Sequence, residues 1–75
     1  MSIEPPKTTA GMIKWMLEDL AFIIKNHYVP DRTIQLGKEY YGIDIGERVD
    51  KRLAQQELRQ QIIYLKGKEK EKEND

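Results

Sequence analysis

All three prolines of this 75-residue chain stand at positions 5, 6 and 30, and their placement limits the fold more than any other feature. Proline removes a backbone donor and disfavours helical geometry at the residue before it. The chain is therefore broken once after its start, at Val29-Pro30-Asp31, and a last helix can run on from there with no further proline to stop it. Pro5-Pro6 closes a short lead, residues 1–8, expected to be disordered. Thr8 or Thr9 is a suitable N-cap for a helix that begins near Gly11 or Met12 and runs to about Tyr28.

At 100° per residue, Met12, Ile13, Met16, Leu17, Leu20, Ile23, Ile24 and Tyr28 share roughly half of that helix's circumference, with Lys14, Glu18 and Lys25 opposite. Trp15 and Phe22 occupy a second side, among polar residues that include Glu18 and Asp19. A helix apolar on two sides has two things to bury.

Beyond Pro30, residues 32–41 read as a short second helix with Gly42 as its stop. The alternation in Thr33-Ile-Gln-Leu36 and Ile43-Asp-Ile45 also fits a hairpin around Gly37-Lys38, but the helix is preferred. Asp44-Ile-Gly-Glu47 is close to a capping box, so a last helix is expected from Ile45 through Lys66, ending at Gly67. At 1.5 Å per residue it would be about 33 Å long. Its apolar positions change sides: Ile45, Val49 and Leu53 form one stripe, and Ala54, Leu58, Ile62 and Leu65 another roughly opposite. Two partners would explain this: helix one for the first half, and a symmetry mate or the chain's own N-terminal region for the second. Residues 61–66 also have the composition of a strand.

The fold class that follows is mainly α: one small domain of two or three helices over residues 9–67, with a long C-terminal helix and a disordered charged tail over residues 68–75. A core this small is marginal alone, and without cysteine no disulfide can reinforce it. Self-association is the natural remedy, and a homodimer is expected. Trp15 and Phe22, together with Leu58, Ile62 and Leu65, are the candidate oligomer or partner interface, since aromatic side chains concentrate in interface centres. The most apolar segment carries too many charges for a membrane span, no signal peptide is evident at the N-terminus, and a cytoplasmic protein is the default expectation.

Thirteen basic and thirteen acidic side chains give a net charge of zero, which argues against indiscriminate polyanion binding. Distribution still matters, because residues 38–68 hold seven basic side chains against five acidic. On the expected last helix, Arg48, Arg52, Gln55, Arg59 and Lys66 fall within about 60°, with Lys51 at the edge. Glu47, Asp50 and Glu57 gather elsewhere. Arginine's planar fork suits phosphate and guanine, and glutamine can pair with adenine. Arg48, Lys51, Arg52, Gln55 and Arg59 are therefore the candidate DNA contacts, with the outer face of a solvated amphipathic helix as the plain alternative.

Three features within residues 36–53 resemble a helix-turn-helix domain: Leu36 and Gly37 as the apolar and small residues of the first motif helix, Gly42-Ile43 as the turn, and Val49 as the buried valine of the recognition helix. The turn is longer than the compact form, and Val49 lies one or two positions late. The resemblance implies a dimeric DNA-binding transcriptional regulator, with the last helix in a major groove.

No phosphate loop, nucleophile elbow or dinucleotide fingerprint is present. His27 lacks companion ligands for a metal, so neither an enzyme nor a cofactor is expected. The second function carried forward is a small helical protein-binding module, such as an inhibitor, adaptor or minor subunit of a larger assembly. The two-sided helix and the zero net charge motivate it.

Overall fold

The computed structural model describes the main chain of residues 3–73 and the side chains of residues 3–70. Three helical elements follow one another: α1 over Thr9–Asn26, α2 over Asp31–Leu36 continued by a π-helical turn over Gly37–Tyr41, and α3 over Lys51–Glu73. Among the described residues no strand forms, so residues 32–41 and 61–66 take the helical alternative in both cases.

Thr8 caps α1 as expected, its hydroxyl accepting from the amide of Gly11 at 3.0 Å. Helix α1 ends two residues early, at Asn26. His27 turns left-handed, φ 64°, and its amide donates to the Ile23 carbonyl, while its side chain is exposed. Pro30 then supplies the extended residue ahead of α2. Within the lead, Ile3 packs against the core, and Pro6 sits so close to Gly11 that a Cβ there would meet the proline's at 2.7 Å. Residues 1 and 2 lie outside the described residues.

The largest departure is the start of α3. Asp44 uses its carboxylate on the amide of Gly46 at 2.9 Å, which closes a local turn instead of opening a helix. Gly46 and Val49 both adopt left-handed backbone, φ 77° and 53°, a conformation no helix interior tolerates. The working N-cap is Asp50, whose Oδ1 accepts from the amides of Arg52 at 2.8 Å and Leu53 at 3.3 Å. Capping logic was sound, but it selected the wrong aspartate by six residues.

This shift dissolves the puzzle of the two stripes. Ile45 and Val49 are loop residues packed on the core, and Leu53 lies within reach of Gly46. Only the Ala54, Leu58, Ile62 stripe belongs to the helix, and it is buried inside this chain. At its other end α3 passes through Gly67 and continues to Glu73, so residues 68–73 of the expected tail are helical. Residues 74 and 75 lie outside the described residues.

The core lies between α1 and α3 with α2 packed on α1, and includes Met16, Ile23, Leu36, Tyr41, Ala54 and Leu58, each almost wholly buried. Gly37 has the close packing that a small residue permits, since a Cβ there would meet Ile43 at 3.3 Å. Gly42 ends α2 in left-handed backbone, φ 72°. Val49, by contrast, is a half-buried turn residue and takes no helical position. Nine residues, 42–50, separate α2 from α3.

Candidate nucleic-acid interface

Helix α3 spans 23 residues, about 35 Å at 1.5 Å per residue, and its core stripe fixes what the rest of it presents. Opposite and beside that stripe, Arg52, Arg59, Lys66 and Lys70 fall in one narrow sector of the helical projection, with Gln56, Gln60, Ile63 and Gly67 in the next. All eight are exposed. From Lys51 through Lys70, no carboxylate enters this arc of about 120°. Glu57 points elsewhere, its Oε1 accepting from the amide of Asp44 at 3.4 Å.

The five residues expected to contact DNA are not all brought together. Arg52 and Arg59 lie on this face, and Lys51 is exposed at the first residue of the helix. Gln55 is half buried on the shoulder of the core stripe. Arg48 lies in the turn before the helix, exposed but off the projection that grouped it with the others. Gln56 and Gln60 replace Gln55 as the amides that face outward. In projection they lie on the far side of Arg52 and Arg59 from the core stripe, whereas Gln55 lies next to that stripe.

Arg48, Lys51, Arg52, Arg59 and Lys66 form no ion pair with any described residue, in contrast to Arg32, which pairs with Glu18 and Asp19. Cations held at fixed spacing with no internal partner present their full charge to a ligand, as phosphate contacts require. The outward amides offer donor and acceptor together, the pair an adenine edge needs.

The interface residues inferred from sequence divide differently. Leu58 and Ile62 are buried at 0% and 4% exposure within the chain's own core, and Leu65 is half buried beside it. Phe22 meets Tyr28 edge to face, centroids 5.2 Å apart. Trp15 carries the guanidinium of Arg32 over its ring at 4.4 Å, so the second apolar side of α1 is where α2 docks.

That junction holds a polar cluster that the sequence reading missed. Asp19, assigned there to the polar face, is 3% exposed. Its Oδ1 accepts from Arg32 Nε at 2.8 Å and its Oδ2 from the Tyr41 hydroxyl at 2.9 Å. Arg32 Nη2 also reaches the Trp15 carbonyl at 3.2 Å and Glu18 Oε1 at 3.1 Å. Burial pulls the Arg32 pKa down, but the bonds to Asp19 and Glu18 outweigh it and the group is held above its usual value. Burial first, then the bond to Asp19, pushes the Tyr41 phenol well above its ordinary range. A signal was available: Asp19 projects between Trp15 and Met16 on α1, inside the apolar sector, where a carboxylate needs a cation.

A concavity of ≈ 490 Å³ lies between α2 and the loop before α3; Ile34, Ile43 and Ile45 give it apolar walls, and Lys38, Asp44 and Glu47 charges of both signs. Among the described residues no three His, Cys, Asp or Glu side chains group as metal ligands, and no helix is long and apolar enough to cross a membrane. Comparison with known protein families, with characterised proteins and with solved structures finds no match for the chain.

Proposed function

We propose that this chain is a small DNA-binding protein, a transcriptional regulator, that engages duplex DNA through the outer face of α3. One observation carries the reading: an exposed helical arc with Arg52, Arg59 and Lys66 free of ion pairs to any described residue, Gln56 and Gln60 beside them, and no carboxylate from Lys51 through Lys70. A helix fits the major groove, where arginine and glutamine read base edges and cations meet phosphate. Zero net charge does not oppose this, because the described acids of α3, Glu57 and Glu69, project off this arc and an approaching duplex responds to the local field. The packing of Leu36, Gly37 and Gly42 adds a likeness to the first half of a helix-turn-helix unit, although residues 42–50 are longer than its turn.

The test is fluorescence anisotropy with mixed-sequence duplexes at about 50 mM salt, where electrostatic binding is strong. Arg52→Ala and Arg59→Ala should each weaken binding and each lower the slope of log affinity against log salt by about 1. Lys38→Ala, on α2, should do neither. Absence of binding, or binding indifferent to both arginines, would end this reading in favour of a protein-binding module. That second reading rests on exposed apolar side chains, Ile63 at 71% and Tyr64 at 53% above all.

A further inference from the structure

Helix α1 carries a third line of side chains that neither α2 nor α3 covers. Ala10, Lys14, Leu17, Ala21 and Ile24 follow one another at alternating steps of four and three, and all five are exposed. Leu17 is 42% exposed and Ile24 48%. In projection the line runs roughly opposite Trp15, the side on which Arg32 and α2 are seated. Four-three spacing is the pattern that keeps one seam of a helix against a second helix along its length.

We propose that this seam is where two copies of the chain associate, α1 against α1, antiparallel about a two-fold axis near Ala21. Two features favour a second copy over another occupant. The stretch of the seam that overlaps its copy about this axis, Leu17, Ala21 and Ile24, is short and aliphatic with a small residue at its centre, and helix axes approach more closely where contacting side chains are small. It is flanked on its outer side by Glu18 and Lys25, seven residues apart and centred close to Ala21. A two-fold axis at that centre sets each Glu18 opposite the partner's Lys25, so the surface is complementary to itself, as an isologous interface must be. A parallel pair would instead set these charges against Leu20 and Ile13.

Both charges are available. Glu18 gives Oε1 to Arg32 and keeps half its side-chain surface open at 49%, while Lys25 is exposed and forms no ion pair with a described residue. Such pairs fix orientation more than they add affinity. The seam is distinct from the interface expected from sequence and does not depend on the nucleic-acid reading.

The experiment needs no DNA. Sedimentation velocity on the full chain at increasing protein concentration should show a monomer–dimer equilibrium, which Leu17→Glu abolishes with helical circular dichroism unchanged. Lys25→Glu should weaken the dimer several-fold at low salt, and less at high salt. Because the chain has no cysteine, Ala21→Cys introduces a single thiol at the axis, and mild oxidation should link two chains. Lys38→Cys, on α2, should stay unlinked. A monomer at every concentration, a dimer indifferent to Leu17→Glu, or cross-linking equal at both cysteines would overturn the proposal.

Discussion

Two sets of arginines in this molecule do opposite things. Arg32, where α2 meets α1, makes hydrogen bonds to two carboxylates and a carbonyl and lies on the face of Trp15. Arg52 and Arg59, on the outside of α3, are exposed and have no ion pair among the described residues. In a chain with equal numbers of acids and bases, composition cannot tell the two apart. What separates them is whether a carboxylate is buried nearby. Asp19 draws Arg32 into the fold, and from Lys51 through Lys70 the outer arc of α3 contains no acid to neutralise its cations. A cation neutralised within the fold stabilises structure, and one left without a partner is free for recognition.

The comparison breaks first at Asp19. Asp19→Ala would leave the partly buried Arg32 without its main partner and the Tyr41 hydroxyl without an acceptor. Removing one member of a buried pair costs about 3–5 kcal/mol. The low end, about 3 kcal/mol, is expected here because the Arg32 side chain is still 29% exposed. For a domain of this size the melting temperature should fall by more than about 10 °C, read by circular dichroism. A change under about 1 kcal/mol would mean that the cluster is ornamental.

Tyr41→Phe is a gentler version, deleting one hydrogen bond to a charged acceptor at a cost of about 1.5 kcal/mol. It also carries a pH signature. The folded chain holds the Tyr41 proton more tightly than the ordinary value of 10.0. The resulting stabilisation is complete below about pH 10 and is lost as pH rises toward the folded value. The unaltered chain should therefore lose stability above pH 10 more steeply than Tyr41→Phe does in urea titrations. Parallel curves would remove Tyr41 from the account.

The smallest effect sharpens the other side. Arg52→Ala and Arg59→Ala should each change unfolding free energy by less than about 0.5 kcal/mol, as exposed, unpaired substitutions do. If either costs as much as Tyr41→Phe, that arginine belongs with Arg32.

Much of the fold was legible from local pattern. Pro30 placed the break, Thr8 the first cap, Gly42 the stop of α2, and the stripe of Ala54, Leu58 and Ile62 the inner side of α3. Arg52 and Arg59 were legible as outward cations for the same reason. Arg48 falls outside the helix because the expected start at Ile45 carries the projection through a turn, where azimuths have no meaning; Gln55 keeps its azimuth near Arg59 but lies about 20° from Ile62 of the core stripe and is half buried for that reason. Gly67 was read as a stop, yet the helix carries through it: a glycine inside a helix costs only about 1 kcal/mol relative to alanine.

The sequence by itself determined the helical class, the single proline break and the periodicity that divides α3 into an inner and an outer side. These are local consequences of backbone chemistry and of a 3.6-residue repeat. Tertiary structure decided which aspartate opens α3 and which one is buried. Asp44 and Asp50 both meet the chemical requirements of a cap, and the left-handed turn at Gly46 and Val49 leaves Asp50 as the one that acts. Projection places Asp19 inside the apolar sector of α1, but its partners Arg32 and Tyr41 come from thirteen and twenty-two residues away. Partners so distant are absent from any local window, because only the packing of α2 on α1 brings them within hydrogen-bond reach.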